Sequence, residues 1–200
     1  MGHSNRSADT VSASVPALAR QEREIEPLKR WVEPSVWTDR MLAALVTGVK
    51  GGVWFSLIDK LYTRKNLEAA ARRVLAKAGA PGVDHVTTKG YRKRLDQELT
   101  MLSEALSQAH YRVQAIRRVY IEKAGGKRPL GIPTVRDRVV QRALLQVIEP
   151  IFEIRFAERS YGYRPGRGAK DALREVDRHL RAGYEYVVEV DIASFFDQAS

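Results

Sequence analysis

The sequence predicts an α+β fold in which helices surround a β-hairpin and a further strand follows near residue 190. Three observations support this class. Helix signals mark four segments of the chain, and two strand-like runs flank a Gly-Gly turn at residues 124–126. Residues 186–192 then alternate in the period of two that is typical of a strand.

Apolar periodicity predicts the first two helices. Asn66 is expected to cap the first helix, whose apolar positions recur from Leu67 to Ala78, and Gly79 is expected to end it. The second helix carries leucines along one side, at Leu95, Leu99, Leu102 and Leu106.

Turn residues predict a hairpin. Residues 115–123 are expected to form its first strand and residues 127–132 its second, because the small residues at 124–126 suit a tight connection between them. The strand at residues 186–192 would place Val188, Val190 and Ile192 on one face.

Capping residues predict the last two helices. Thr134 is expected to cap a third helix, with Asp137 three residues later as in a capping box. Pro150 is expected to mark its end after Glu149. A fourth helix is expected at residues 168–181, followed by Gly183.

The charge balance predicts a polyanionic partner. The 200 residues include 34 Lys and Arg against 24 Asp and Glu, which gives a net charge of +10 and a pI near 10.0. The absence of cysteine excludes disulfides and thiolate metal sites. No apolar run approaches the roughly 20 residues of a membrane span, so a cytoplasmic protein without a membrane partner is expected.

Four blocks of the chain are distinctive in their order and spacing. The blocks are NLEAAARRVLAKAGAPGVDHVT at residues 66–87, HYRVQAIRRVYIEKAGGKRPLGIP at 110–133, KRPLGIPTVRDRVVQRALLQVIEPIFE at 127–153 and SYGYRPGRGAKDAL at 160–173. They precede VVEVDIASFF, which resembles motif A in the palm of template-directed polymerases. Together, in this order, the blocks resemble the reverse transcriptases encoded by bacterial group II introns. The resemblance covers about residues 57–197.

The resemblance implies a right-hand polymerase of the reverse transcriptase type, with fingers and an incomplete palm. It implies a variable, partly disordered extension at residues 1–56, the N-terminal segment and fingers at 57–185, and the truncated start of the palm at 186–200. The family's paired-Asp motif is absent from these residues, so this chain by itself is expected to be inactive.

The implied activity is that of an RNA-directed DNA polymerase, a nucleotidyltransferase that in its complete form also acts as an RNA maturase. Mg²⁺ is the expected cofactor, because two such ions can stabilise the attacking and leaving oxygens of a displacement at phosphorus. Asp191 is the expected catalytic metal ligand, with the backbone carbonyl of Ile192 beside it. Phe196 is expected to exclude a ribose 2′-hydroxyl and so to favour deoxynucleotides.

Basic and aromatic residues are the expected contacts to the partners, which are intron RNA template, DNA primer and dNTP. Arginine suits phosphate oxygens because its planar fork forms paired, charge-assisted hydrogen bonds. In addition to Ile192 and Phe196, the candidates for binding the nucleotide are Lys127, Arg128 and Arg136. The candidates for binding nucleic acid are Arg112, Arg117, Arg118, Tyr163, Arg164, Arg167 and Lys170.

Three alternatives stay open from the sequence. The chain could be a non-catalytic RNA-binding fragment or a degenerate remnant, since the paired Asp residues are missing. It could belong to a reverse transcriptase of a retron, a diversity-generating element or a CRISPR locus. A helix-turn-helix DNA-binding protein is a further possibility, from the helix content of residues 134–180.

Overall fold

The computed structural model describes residues 25–48, 57–123 and 126–193, and the chain divides into two compact units. Unit 1 is Met1–Arg155 and unit 2 is Phe156–Ser200. In unit 1 the elements are α1 Asp39–Thr47, α2 Ile58–Leu61, α3 Arg64–Ala76, α4 Thr88–Lys93, α5 Leu95–Ser107, β1 Arg117–Lys123, β2 Gly126–Ile132 and α6 Val135–Glu153. Unit 2 contains α7 Ala169–Arg181.

The described residues thus combine helices with a small antiparallel sheet, as the predicted α+β class requires. The arrangement of fingers and palm stays a prediction. None of the described helices is long and apolar enough to cross a bilayer.

The main core of unit 1 lies where α3 packs against α6. Leu67 and the alanines Ala70 and Ala71 are fully buried there, opposite Val139 and Ala143 of α6. Small alanine side chains let two helices approach closely, so the α3–α6 pair can serve as the centre of the unit. The predicted leucine stripe of α5 is confirmed, because two leucines are buried in this cluster and two pack against it, namely Leu99, Leu102, Leu95 and Leu106.

Asn66 does not cap α3, so that prediction was wrong. The helix begins at Arg64, and Asn66 lies buried inside it. Its Nδ2 donates to the carbonyl oxygens of Lys60 and Leu61 at 3.1 Å each and to that of Ala143 at 3.2 Å. The polar side chain therefore fastens α3 to the end of α2 and to α6, which a local sequence pattern cannot indicate.

The predicted end of the first helix was also too late. Helix α3 ends at Ala76, and the residue with a positive φ is Ala78, at 43°, rather than Gly79. Left-handed backbone is uncommon for a residue with a Cβ atom, which is why the glycine was the natural expectation.

Helix α6 begins as predicted. The Thr134 side chain accepts from the backbone N–H of Asp137 at 3.1 Å, and its hydroxyl donates to Asp137 Oδ2 at 2.6 Å. Both residues are buried. The cap is thus satisfied within the protein, without solvent.

The predicted end of this helix was wrong, because α6 continues through Pro150 to Glu153. Proline has no N–H to donate to the carbonyl four residues earlier, which here belongs to Gln146. The indole Nε1 of Trp37 donates to that carbonyl oxygen at 3.0 Å. A contact from 109 residues away therefore replaces the hydrogen bond that Pro150 removes.

Residues 25–48 form a second hydrophobic cluster on the C-terminal half of α6. Ile25, Leu28, Val36, Trp37 and Leu42 are buried against Val147 of α6. This packed segment lies within the predicted N-terminal extension, whose residues 1–24 and 49–56 are outside the described residues.

The predicted hairpin is confirmed. Strands β1 and β2 pair antiparallel from Arg117 opposite Ile132 to Lys123 opposite Gly126. Residues 124 and 125 of the predicted turn lie outside the described residues.

The predicted helix of unit 2 is confirmed as α7, where the backbone N–H of Gly168 donates to Asp171 Oδ2 at 3.0 Å. Gly183 follows with a φ of 91°, as expected for the residue that stops a helix. No residue of α7 is buried. Its apolar side chains, Leu173, Val176 and Leu180, are exposed.

The strand predicted at residues 186–192 was wrong for the described structure, where this segment has no regular secondary structure. Val188 and Val190 are each 86% exposed. A strand is stable only with hydrogen-bonded neighbours, and the sheet among the described residues contains β1 and β2 alone.

Candidate nucleic-acid and nucleotide interface

The hairpin presents its predicted basic residues on two different faces. Residues directly opposite in an antiparallel pair share a face, and adjacent residues of one strand point to opposite faces. Arg128 therefore lies beside Ile121 on one face, whereas Lys127 lies beside Glu122 on the other. Lys127 Nζ is 3.5 Å from Glu122 Oε1, so this carboxylate partly offsets the positive field of Lys127.

Arg117 and Arg118 differ in the same way. Arg117 is half-buried, and its Nη1 donates to the carbonyl oxygen of Pro81 at 3.2 Å, which anchors the base of the hairpin. Arg118 is exposed opposite Gly131. Arg118 and Arg128 are therefore the hairpin arginines that a phosphate can reach from solvent.

Close backbone contacts fix the position of the second strand and the start of α6. A Cβ atom at Gly82 would lie 2.7 Å from the backbone nitrogen of Thr134, and one at Gly131 would lie 2.8 Å from Ile116 Cγ2. These glycines leave no room for a side chain. Gly82 lets the turn at residues 80–84 lie directly against residues 133–134, between β2 and α6, and Gly131 lets β2 pack closely on Ile116.

Arg136 is engaged inside the protein. Its Nε and Nη2 donate to Oε2 of Glu98 at 3.1 and 2.5 Å, and Glu98 is buried. Burial acts to lower the pKa of Arg136, but the hydrogen bonds and the charge of Glu98 outweigh it and the pKa is raised. A nucleotide phosphate at Arg136 would have to compete with this carboxylate.

A buried polar cluster beside this ion pair was not predicted from the sequence. The Tyr111 hydroxyl donates to Oδ1 of Asp137, the same carboxylate that receives the Thr134 hydroxyl. Burial first, and then Asp137, raises the pKa of Tyr111. Tyr91 is fully buried nearby in the core, and its hydroxyl has no hydrogen-bond partner among the described residues. The spacing from Tyr111 to Asp137 gives no local signal for such a contact.

In unit 2, two predicted nucleic-acid contacts instead fold the loop before α7. Arg164 Nη1 donates to the carbonyl oxygens of Ala157 and Ser160 at 2.8 and 3.0 Å. Arg167 Nη1 donates to the carbonyl oxygens of Glu158 and Ser160. Both guanidinium groups therefore converge on Ser160.

Aromatic rings hold the same two arginines. Arg164 lies over the ring of Phe156 at 5.2 Å and Arg167 over that of Tyr161 at 5.8 Å, distances at which a cation is attracted to a ring face. Tyr163 is fully exposed, with a φ of 56°. Lys170 is exposed in the first turn of α7, and Arg112, in unit 1, is exposed with a contact to the carbonyl of Tyr111.

Asp191 is exposed, and its Oδ1 accepts from the backbone N–H of Ile192 at 2.9 Å. A carboxylate suits Mg²⁺, which prefers oxygen ligands. Among the described residues no three Asp, Glu, His or Cys side chains gather into a metal site. Asp191 fits as one ligand only, and Phe196 lies outside the described residues.

Residues 121–200 match the family described as reverse transcriptase (RNA-dependent DNA polymerase). The protein YkfC of Escherichia coli strain K12 is 46% identical over 138 residues, which is 66% of this chain and 36% of that protein. The group II intron-encoded protein LtrA of Lactococcus lactis subsp. cremoris is 34% identical over 122 residues, 60% of this chain and 20% of LtrA. The chain carries reverse transcriptase sequence of the group II intron type.

Intron maturases of eukaryotes are similar to this group II intron-type chain as well. Nuclear intron maturase 2, mitochondrial, of Arabidopsis thaliana is 44% identical over 62 residues, 31% of this chain and 8% of that protein. The chain thus spans 36% of the E. coli relative and 20% of LtrA. The family match begins at Ile121 in β1 and includes β2, α6, α7 and Asp191.

Proposed function

We propose that the complete protein is the RNA-directed DNA polymerase of a group II intron and that it also acts as an RNA maturase. The observation that carries the proposal is the family match over residues 121–200, which includes Asp191. The similarity to LtrA and to a nuclear intron maturase supports the intron partner.

In this proposal Asp191 and the carbonyl of Ile192 hold a divalent cation, for which Mg²⁺ is the proposed ion. When bound, such an ion stabilises negative charge on the phosphoryl oxygens. Phe196 packs under the sugar and excludes ribonucleotides. The segment around residues 186–200 belongs to a palm, and the protein acts in the cytoplasm.

The proposed phosphate contacts follow the exposure of the basic residues. Arg128 is exposed at the hairpin and is the first candidate for the incoming triphosphate, whereas Lys127 and Arg136 already face carboxylates. Arg118 and Arg112, also exposed, contact the template backbone without reading sequence. Arg117 acts mainly by holding the hairpin in place, and Arg164 and Arg167 by holding the loop before α7. Tyr163 and Lys170, which are exposed, stay proposed contacts to nucleic acid.

Primer extension by the complete protein tests this function. A DNA primer on an RNA template should be extended in the presence of Mg²⁺, and Asp191→Ala should abolish extension. Asp197→Ala is the matched control, because it removes a carboxylate six residues later in the sequence that has no proposed role. Extension at the wild-type rate by the Asp191→Ala protein would contradict the assignment.

A second test addresses the sugar. Phe196→Ala should raise incorporation of ribonucleotides relative to deoxynucleotides, because the smaller side chain leaves room for a 2′-hydroxyl. An unchanged ratio would place nucleotide selection on another residue.

RNA binding without catalysis is a second candidate function, favoured by the net charge of +10 and the exposed arginines of the hairpin. It predicts that RNA affinity falls steeply with salt while the complete protein extends no primer.

A further inference from the structure

A basic groove runs between α3 and the two helices that follow it. Two cavities of about 460 and 570 Å³ lie along it, and both have Arg92 and Lys93 in their walls. We call this surface the α3–α4 groove. Its charged lining residues are Arg64, Glu68, Arg72, Lys89, Arg92, Lys93 and Asp96.

The acidic side chains of the groove are already paired. Arg64 Nε lies 2.7 Å from Glu68 Oε1, and Arg64 Nη2 contacts Asp96 Oδ1. These contacts neutralise one arginine and leave an excess of positive charge. Four cations of the groove form no ion pair with a carboxylate in the part of the chain that the structure describes: Arg72, Lys89, Arg92 and Lys93.

Helix α4 concentrates three of these cations on one side. Lys89, Arg92 and Lys93 are spaced at i, i+3 and i+4, which makes them neighbours on the helix surface. Like charges at this spacing repel one another. Lys89 also lies in the first turn, where the helix dipole disfavours a cation. Arg92 and Lys93 lie in the last turn, where the dipole favours cations, but their repulsion with Lys89 remains, and a bound anion would relieve it.

The length of the groove favours a polymer over a single phosphate. Lys89 and Lys93 lie four residues apart on α4, which corresponds to about 6 Å along a helix axis, and Arg72 lies across the groove on α3. Cations spread over this length can neutralise successive phosphates of one backbone. Lysines and arginines on a backbone carry no sequence information.

We propose that the α3–α4 groove binds the phosphodiester backbone of RNA, as a contact surface additional to the hairpin and to the loop before α7. That the polyanion is RNA rests on the proposed function. The groove itself rests on the charges and cavities of α3, α4 and α5.

The test measures binding of a fluorescein-labelled RNA hairpin to this chain at increasing salt. The variant combines Arg72→Gln, Lys89→Gln and Lys93→Gln, whose side chains form no hydrogen bond or ion pair with another described residue. The control combines Lys29→Gln, Arg174→Gln and Arg181→Gln, whose side chains each pair with an aspartate. Both proteins lose the same net charge, and circular dichroism verifies that both fold like the wild type.

The groove variant should show a salt dependence of log K that is shallower by about 0.7–0.9 per lost phosphate contact, with affinity reduced about tenfold or more. The control should keep the wild-type slope. Equal slopes for the variant and the control would overturn the proposal.

Competition experiments identify the occupant. An excess of free dNTP should leave the affinity for RNA unchanged. If dNTP instead displaces RNA and abolishes the difference in RNA affinity between the wild type and the groove variant, the groove binds a free triphosphate. A DNA hairpin that binds more tightly than RNA would overturn RNA as the partner. The assay measures RNA binding and does not depend on polymerisation. A protein that extends no primer can therefore still bind RNA through the groove, and an active polymerase can lack this contact.

Discussion

Unit 1 buries the apolar faces of its helices, whereas unit 2 leaves them exposed. Leu67 of α3 is 0% exposed, and Leu173 of α7 is 67% exposed. Both leucines lie on amphipathic helices of 13 residues. Helical periodicity therefore predicts where a helix forms, but burial of its apolar side depends on partners from elsewhere in the chain.

The hydrogen bonds of the side chains differ in the same way. In unit 1, Trp37 reaches Gln146 across 109 residues, and Gln146 Nε2 donates to Asn66 Oδ1 at 2.6 Å across 80 residues. In the described part of unit 2, the side-chain hydrogen bonds include those from Arg167 to Glu158 and from Arg164 to Ser160, which join residues close in sequence. Long-range contacts therefore stabilise unit 1, and local contacts shape unit 2.

The largest expected effect contrasts the two leucines. Leu67→Ala should destabilise the protein by about 2–5 kcal/mol, because it leaves a cavity in the α3–α6 core. Leu173→Ala should change the free energy of unfolding by less than about 0.5 kcal/mol, since its side chain is exposed. Urea unfolding followed by circular dichroism measures both, and equal losses would refute the contrast.

A smaller effect is expected at the proline of α6. Trp37→Phe should cost about 1–3 kcal/mol, because the buried carbonyl of Gln146 loses its donor. Pro150→Ala restores a backbone N–H to that carbonyl, so it should recover part of the loss in the Trp37→Phe protein. A double-mutant cycle in urea measures the coupling, and purely additive effects would show that the indole hydrogen bond does not compensate for Pro150.

Tyr91 and Tyr111 should respond differently to the loss of the hydroxyl. Tyr111→Phe should cost about 1–2 kcal/mol, because Asp137 loses a hydrogen-bond donor. Tyr91→Phe should be neutral or slightly stabilising, since its hydroxyl has no partner among the described residues. Thermal melts of the two variants at neutral pH test this order.

The same pair predicts a pH dependence. Burial raises the pKa of both tyrosines above the ordinary value of 10.0. The unfolded chain therefore releases these protons first, so stability is fully present below pH 10 and falls as the pH rises above it. Tyr91→Phe should make this alkaline loss shallower, and an unchanged profile would contradict the burial of the hydroxyl.

The smallest expected effect is on the surface of α7. The hydrogen bonds from Arg178, with a smaller contribution from its charge, lower the pKa of Glu175 to about 2. Arg178→Gln should return this pKa toward 4.5, as NMR titration would measure. Stability should barely change, because exposed ion pairs contribute little. A marked loss of stability would mean that α7 is more buried than described.

The sequence predicted the elements better than their ends or their partners. Strands β1 and β2, the Thr134 cap and helix α7 follow from local turn and capping chemistry. Asn66 and Pro150 were misread because each depends on a contact with a residue far away in sequence. The strand at residues 186–192 was misread because alternation does not supply a neighbouring strand.

The candidate site was predictable to a similar degree. The sequence predicted Arg128 and Arg118 as contacts to nucleotide and nucleic acid and Asp191 as a metal ligand. The structure leaves all three side chains exposed, and their roles stay predictions. The sequence could not reveal that Glu98 neutralises Arg136, or that Arg164 and Arg167 donate to carbonyls of their own loop. Such pairings depend on which groups the fold brings within about 3 Å.

Hydrogen exchange measured by mass spectrometry tests the contrast between the two units most directly. Backbone amides of α3 and α6 should be strongly protected, because they open only with the core. Amides of residues 184–193 should exchange at rates close to those of an unstructured peptide. Comparable protection in both regions would contradict the account, since it would mean that residues 186–192 are paired in a strand.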